Sequence, residues 1–159
     1  DNDFEKVRTV AFVLKTLLDQ MSVSSFVKTT GSRGVHLHIP LKVEHEFAKV
    51  KDVAHNLAQV LHRKCPQLTT LEMHKDKRGN RVFLDYLRND YGMTAIAPYS
   101  LRAVASAAAA TPIDWDELKD NSLGPQSYGY RNIFRRLPHK ENPWESFYKS
   151  RVGLAKLQL

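Results

Sequence analysis

Cysteine is almost absent from this sequence. Cys65 is the single cysteine among 159 residues, so no internal disulfide can form, and no Cys-x-x-Cys pattern for zinc exists. No apolar run approaches the roughly 20 residues that a membrane span requires, and the N-terminus does not resemble a signal peptide. These absences disfavour a disulfide-stabilised secreted domain and a membrane protein. They predict a cytoplasmic protein in a reducing compartment, with no membrane partner.

Disorder is also disfavoured, because hydrophobic residues make up 42% of the chain. The length suggests a single domain, residues 1–159, and allows a substantial core. Lys and Arg exceed Asp and Glu by 24 to 17, a net charge of +7. This excess favours a polyanionic partner but does not by itself choose between DNA, RNA and a plain basic surface.

Two amphipathic helices are predicted, at residues 3–21 and 45–64, because apolar residues recur there at three- and four-residue steps. Asp1-Asn2-Asp3 has the form of a metal-binding Asp-x-Asp pair. We interpret it as a helix cap, because Asn2 and Glu5 have capping spacing and a catalytic pair would have to project from a rigid strand.

Strands are predicted at Ser25–Thr29 and at 35–39, joined by the turn Gly31–Gly34. In the second strand His36 and His38 point away from the apolar side chains. The apolar side would meet the helices and leave the histidines on an open, functional face. Helices on one face of a mainly antiparallel sheet define an α+β fold.

The second half of the chain has weaker signals. A hairpin is predicted from strands Leu68–His74 and Arg81–Tyr86, with Gly79-Asn80 supplying positive φ angles. Further expectations are one or two short strands in Thr94–Ala103, a surface connection at Val104–Ala110, helices starting at Asp114 and Asn142, and a basic, aromatic extension at 119–159. In that extension, Trp144, Phe147 and Tyr148 could stack on bases, but we favour packing against the core.

The turn after the first strand is a candidate phosphate site. Thr30 offers a hydroxyl, Gly31 and Gly34 allow close approach of the backbone, and Arg33 adds a forked cation. The alternative is an ordinary hairpin turn that contains glycine.

Two further features have open interpretations. His36 and His38 could form a metal pair, as in a metal phosphoesterase. Alternatively, His36 donates a hydrogen bond to phosphate or sugar and His38 is a half-exposed strand residue. Asp85 interrupts a strand that otherwise resembles core. A metal ion, Arg81 or Arg102 would have to offset the cost of burying it, and a structural salt bridge is equally compatible.

Four segments in order make the chain resemble the polymerase domain of bacterial and archaeal DNA ligase D, in the archaeo-eukaryotic primase superfamily. They are Val27–Pro40, Arg78–Tyr86, Thr94–Arg102 and Thr111–Leu118. The resemblance implies a primase-polymerase fold with an RRM-like core, of which this chain is the C-terminal part. It also implies a nucleotidyltransferase that adds nucleotides, often ribonucleotides, to DNA ends in double-strand break repair by non-homologous end joining.

The resemblance also assigns roles to residues and partners. Asp85 matches a catalytic aspartate that binds a divalent metal, Mn²⁺ or Mg²⁺. Thr30 stands where the family commonly has serine and Arg33 where it commonly has lysine, and with His36 they match a loop that contacts the triphosphate. The implied partners are DNA ends, nucleoside triphosphates, a Ku protein and a DNA ligase domain. The remaining assigned residues are Arg88 and Arg102 at the nucleotide and Arg78 and Lys28 at DNA.

The chain departs from the family pattern at its start. The family's first two metal-binding aspartates lie in a strand before the helix that begins here near Asp3, and the printed sequence lacks that strand. We therefore expect binding without polymerisation by this chain alone. The competing class is a non-catalytic module that binds nucleic acid or nucleotides.

Overall fold

The computed structural model describes residues 4–158. The predicted cap at Asp1-Asn2-Asp3 lies outside these residues. Along the chain the elements are α1 (Phe4–Gln20), β1 (Phe26–Thr29), β2 (Val35–His38), α2 (Phe47–Lys64), β3 (Thr69–Thr70), β4 (Val82–Phe83), β5 (Pro112–Ile113) and α3 (Ile133–Arg136).

The chain forms two compact units, each built from stretches that are not contiguous in sequence. Unit 1 contains residues 4–23, 41–95 and 151–158, and unit 2 contains residues 24–40 and 96–150. The expectation of one domain over residues 1–159 stays a prediction.

The two long helices belong to unit 1 and lie within two residues of their predicted bounds. Each buries one apolar stripe, because residues three and four apart share a helix face. Two buried residues of α1 are Leu17 and Leu18, and two of α2 are Leu57 and Leu61. The periodicity of the sequence therefore predicted both helices correctly.

The predicted hairpin in unit 1 is wrong. β3 and β4 pair in parallel, with Thr69 opposite Val82, and each strand has only two residues. Parallel strands need a crossover, and the connection 71–81 is long enough to supply one, whereas a tight turn joins antiparallel strands. Gly79 has the expected positive φ, +57°, but Asn80 does not.

In unit 2, β1 lies at the centre of a three-stranded antiparallel sheet of order β2-β1-β5. The register places His38 opposite Phe26 and His36 opposite Lys28. Residues directly opposite each other share a sheet face, so these four side chains lie on one face. The mixed helix and sheet composition with an antiparallel sheet confirms the predicted α+β class.

The predicted surface connection at Val104–Ala110 is wrong in its second half. Ala108, Ala109 and Ala110 are fully buried. Instead of regular strands in Thr94–Ala103, Leu101 forms an isolated bridge with Ala109, and Ala108 forms another with Gly129. A Cβ at Gly129 would lie 2.8 Å from the Ala107 carbonyl oxygen. The alanine run is buried because only small side chains fit between these closely spaced backbones.

The helices expected at Asp114 and Asn142 are also corrected. The backbone N–H of Asp114 donates to Glu117 Oε2 (2.8 Å), but a 3-10 helix, Glu117–Lys119, follows. Asn142 Oδ1 accepts from the N–H of Trp144 (3.0 Å) in a turn that leads to a second 3-10 helix, Tyr148–Ser150. α3 was not predicted, because its four residues are too short for a periodic signal.

Aromatic residues of the C-terminal region cover the histidine face of the sheet. The Trp144 ring lies 4.8 Å from His38 and 6.2 Å from Phe26, and Phe147 lies 5.1 Å from Phe26. The Trp144 indole N–H donates to the Val27 carbonyl (3.1 Å). The packing role of Trp144 and Phe147 is therefore confirmed, whereas Tyr148 is 72% exposed. The prediction of an open face is wrong for His38, which Trp144 covers, while His36 is half-buried.

Candidate functional site

The turn between β1 and β2 is closed by hydrogen bonds from Thr30. Its hydroxyl donates to the Gly34 carbonyl (3.0 Å) and accepts from the N–H groups of Ser32 and Gly34 (both 3.2 Å). The Thr30 hydroxyl thus shapes the turn, and its predicted contact with the triphosphate stays a prediction. Among residues 4–158, the amides of Gly31 and Arg33 have no hydrogen-bond partner and remain available to one.

Gly31 allows the turn to approach the alanine run closely. Its φ is +66°, and a Cβ there would lie 3.0 Å from the Ala109 carbonyl carbon and 3.1 Å from Arg102 Cγ. A side chain would thus meet backbone as well as a strained φ angle. Glycine is therefore required by both conformation and space.

Arg102 packs beneath this turn within unit 2. Its Nε donates to the Thr30 carbonyl (3.1 Å), and its side chain is half-buried. Arg33, at the tip of the turn, is exposed. The structure therefore brings together Thr30, Arg33 and Arg102, three of the five residues predicted at the nucleotide.

Lys28 is fully buried next to this cluster. Its ammonium donates to the Ile96 carbonyl. Burial, together with the positive charge of Arg102, lowers the pKa of Lys28 to about 8. The sequence assigned Lys28 to a DNA contact, but its buried ammonium cannot reach a DNA backbone. That assignment is corrected: Lys28 adds positive charge beneath the turn.

The two histidines of β2 differ in environment. His38 packs against Trp144, and burial, with smaller effects from Lys28 and His36, lowers the pKa of His38 to about 4. His38 is therefore neutral near pH 7, and its Nε2 is buried without a partner among residues 4–158. His36 is half-buried, with its ring 6.1 Å from that of His38. Because Trp144 covers one histidine, the pair does not resemble an open metal site.

Asp85 lies in unit 1 and is not buried in a strand as expected. It follows β4, and its side chain is 36% exposed. Arg88 Nε donates to Asp85 Oδ2 (3.1 Å), and the same guanidinium donates to the Thr94 carbonyl (2.9 Å). The strand prediction failed because β4 ends at Phe83, two residues before the carboxylate. Asp85 therefore needs no buried partner to offset desolvation.

Arg78 folds the connection between β3 and β4. Its guanidinium donates to the carbonyls of Glu72 (2.8 Å) and Met73 (2.7 Å) and lies 3.7 Å from the centre of the Phe83 ring. These contacts explain why the connection is a compact crossover. The predicted DNA contact of Arg78 stays a prediction.

The described residues do not by themselves form a metal centre. Residues 4–158 contain no group of three or more His, Cys, Asp or Glu side chains that could hold a metal ion. Asp85 contributes one carboxylate, which already forms an ion pair with Arg88. A metal at Asp85 held by three or more such side chains would need a contribution from outside residues 4–158.

Sequence reasoning missed an ion-pair network in unit 2. Arg136 donates to both carboxylate oxygens of Glu117 (2.5 and 2.9 Å) and to the Pro112 carbonyl (3.2 Å). Burial opposes the charge of Glu117, but hydrogen bonds from Arg136 and from the Asp114 amide outweigh it, so the pKa of Glu117 is lowered. The capping position of Glu117 was visible in the sequence, but its distant partner was not.

The fold and the turn describe an α+β protein with positive side chains grouped at one turn of its sheet. The sequence matches the family described as LigD, primase-polymerase domain, over residues 1–144, and the chain belongs to that family.

Two curated relatives and one solved structure support the assignment. The multifunctional non-homologous end joining protein LigD of Pseudomonas aeruginosa is 33% identical over 142 residues, covering 88% of this chain and 17% of that protein. The bifunctional non-homologous end joining protein LigD of Bacillus subtilis is 30% identical over 150 residues, covering 94% of this chain and 24% of that protein. The polymerase domain from Mycobacterium tuberculosis ligase D in complex with DNA superposes with a TM-score of 0.85 at 30% identity, covering 95% of this chain and 52% of that one. This chain thus spans a quarter or less of the curated relatives.

No helix within residues 4–158 is both long enough and apolar enough to cross a membrane.

Proposed function

We propose that this chain is the nucleotide- and DNA-binding part of a cytoplasmic nucleotidyltransferase. The enzyme adds nucleotides, including ribonucleotides, at DNA ends during double-strand break repair by non-homologous end joining. The names of its relatives support this process. The chain spans a small part of those proteins. We therefore propose the nucleotidyltransferase activity for the longer protein, to which this chain contributes binding residues.

The observation that carries the proposal is the concentration of positive charge around one glycine turn. Arg33 is exposed at the tip, Arg102 holds the Thr30 carbonyl, and Lys28 is buried beside Arg102. Burial lowers the pKa of Lys28 most, and the nearby charge of Arg102 lowers it further, which supports repulsion between these two cations. A bound polyanion such as a triphosphate would relieve that repulsion, because its oxygens accept from guanidinium groups and from the backbone amides of a turn.

Several groups of unit 2 are proposed to bind the triphosphate. Arg33 and Arg102 are proposed to donate to phosphate oxygens through their guanidinium groups, and His36 to donate from its ring. The unpartnered amides of Gly31 and Arg33 add two neutral donors.

Three residues of unit 1 carry separate proposals. Asp85 is proposed as one carboxylate ligand of a divalent metal, Mn²⁺ or Mg²⁺, and Arg88 as a contact to the nucleotide. The Arg78 guanidinium is proposed to contact DNA with the part that does not face the Glu72 and Met73 carbonyls. A Ku protein and a DNA ligase domain are the proposed protein partners.

Calorimetric titration with ATP tests the triphosphate site. Arg102→Ala should weaken binding at least tenfold, because a charge-assisted hydrogen bond of about 1.5–3 kcal/mol is lost. Arg33→Lys should bind nearly as well as the wild type, because the cation is kept. Arg63→Ala removes an exposed arginine at the end of α2 and serves as the control. Equal affinity of the wild type and Arg102→Ala would contradict the site.

A second candidate is a non-catalytic module that binds nucleotides or nucleic acid. It is favoured because residues 4–158 contain no group of three or more metal-ligating side chains. The two candidates differ in their response to manganese. If Asp85 is a metal ligand, manganese raises the affinity for ATP in the wild type and not in Asp85→Asn. If this chain acts as a module, both proteins bind ATP or DNA equally with and without manganese.

A further inference from the structure

A row of exposed apolar side chains lies on one side of the segment around α3 in unit 2. Tyr130 is 63% exposed, Phe134 is 70% exposed, and Leu137 is 45% exposed. The amides of Ile133 and Leu137 donate to the Gly129 and Ile133 carbonyls, so the segment is helical. Side chains three and four residues apart therefore share a face. A grouped apolar surface of this kind marks an interaction site.

The charge around this row is positive. Residues 121–140 contain no Asp or Glu. Arg136 and Lys140 in this segment are paired with Glu117 and Asp114. Arg131 and Arg135 are exposed next to the apolar row. We call Tyr130, Arg131, Phe134 and Arg135 the aromatic–arginine patch.

Short contacts connect the patch to the turn that carries the proposed triphosphate site. The Tyr130 N–H donates to the Ala107 carbonyl (3.0 Å), and Ala108 and Ala109, which follow in the same run, lie against Gly31. Gln126 Nε2 donates to the Ser32 carbonyl (3.0 Å). The patch and the turn are thus held by adjoining backbone segments of one compact unit.

We propose that the aromatic–arginine patch binds single-stranded DNA, with bases stacked on Phe134 and Tyr130 and phosphates contacted by Arg131 and Arg135. Exposed aromatic rings alternating with arginines suit unpaired bases, which offer a flat face next to a phosphate. Paired bases in a duplex do not offer that face. The proposal rests on the proposed function, since the strand would be an overhang at the DNA end where the nucleotide is added.

Fluorescence anisotropy with a dye-labelled oligothymidylate tests the patch on the full 159-residue chain. Phe134→Ala should weaken binding about tenfold, the loss expected for one stacked base. Phe134→Leu keeps an apolar side chain and should weaken binding nearly as much, because leucine has no ring to stack. Phe134→Trp keeps an aromatic ring and should bind with wild-type affinity. Tyr91→Ala, which removes an even more exposed ring in unit 1, should leave binding unchanged.

Three results would overturn the proposal. Wild-type affinity in Phe134→Ala and Tyr130→Ala would show that no base stacks on the patch. Full binding by Phe134→Leu would indicate an apolar docking surface for a protein. No binding of oligothymidylate by the wild-type chain would also exclude it.

Titration of the same variants with ATP separates this proposal from the proposed function. Phe134→Ala should bind ATP normally, whereas Arg102→Ala should lose ATP and keep the oligothymidylate. Normal ATP binding together with an oligothymidylate affinity that does not depend on Phe134 would overturn the patch alone. Failure of the wild-type chain to bind ATP would overturn the proposed function.

Discussion

Gly31 is the residue on which the geometry of the turn depends. It combines a left-handed φ with backbone contacts at about the limit of what a Cβ tolerates. Gly79 offers a natural comparison, because its φ of +57° is similar but nothing lies within 4 Å of its Cβ position. The two glycines separate the cost of the φ angle from the cost of the contact.

Gly31→Ala should therefore be more destabilising than Gly79→Ala. A left-handed φ costs a residue with a Cβ about 1–2 kcal/mol. At Gly31 the shift of the alanine run should add about 1 kcal/mol or more. Urea denaturation of both variants measures the difference in the free energy of unfolding. If both variants lost the same free energy of unfolding, the close contacts next to Gly31 would add no cost to that of the φ angle.

Lys28 should make stability depend on pH in the alkaline range. Its pKa is about 8 in the folded chain and 10.5 when solvated, so the unfolded chain binds the proton more tightly. Lys28 therefore destabilises the fold most below about pH 8, and this cost is relieved as the pH rises toward 10.5. Relative to Lys28→Met, the wild type should gain stability between these pH values, as measured by urea denaturation. If the difference in the free energy of unfolding between the wild type and Lys28→Met did not change with pH, a buried, cationic Lys28 would be contradicted.

Not all of these residue environments could be predicted. Arg33 and Arg102 belong to different sequence segments and were assigned to one site only through the family resemblance, and the structure places Arg102 against the turn that carries Arg33. Lys28 was assigned to a DNA contact through the family resemblance, which carries no information about its burial. Its burial depends on Ile96, a residue far away in the sequence. The exposure of Asp85 depends on where a two-residue strand ends, which local pattern does not define.

At the scale of elements, the Glu117–Arg136 pair ties α3 to the segment after β5. Both side chains are mostly buried, at 20% and 11% exposure, and the pair is bidentate. Removing one partner of such a pair leaves a charge without compensation in a poorly solvated place. The pair is therefore expected to matter more than any surface ion pair of unit 2.

Arg136→Met should destabilise the chain by about 2 kcal/mol or more at pH 7. Lys119→Met, which removes one partner of the exposed Lys119–Asp116 pair, should cost less than about 0.5 kcal/mol. The pKa of Glu117 is lowered by folding, so its contribution is present above its ordinary pKa and is lost as the pH falls below it. The difference in the free energy of unfolding between the wild type and Arg136→Met should thus become smaller below about pH 4.5. A gap that widens in acid would contradict the pair.

The elements also show which signals a sequence contains. α1 and α2 were predicted to within two residues because helix periodicity is local. The parallel pairing of β3 and β4 was missed because Gly79-Asn80 indicated a tight turn, whereas Arg78 holds a longer connection together through the Glu72 and Met73 carbonyls. The alanine run was predicted to be a surface connection because its sequence has low complexity. Its burial follows from Gly31 and Gly129 on either side.

For the molecule as a whole, the net charge of +7 should make DNA binding depend strongly on salt. Each neutralised phosphate releases condensed counterions. It therefore makes the logarithm of the binding constant fall by about 0.7–0.9 for each unit rise in the logarithm of the salt concentration. Raising the salt from about 50 to about 200 mM should therefore weaken binding of a labelled oligonucleotide about tenfold or more. An equal osmolality of sucrose should have little effect. A flat response to salt would contradict a nucleic-acid partner.

The most direct test of the central claim is amide chemical-shift mapping of the isotope-labelled chain during titration with ATP. The account predicts that the largest shifts occur at Gly31 and Arg33 and that Gly79 and Gly92, which lie in unit 1, move little. Shifts confined to residues outside the Thr30–Gly34 turn, or no shifts at saturating ATP, would contradict it.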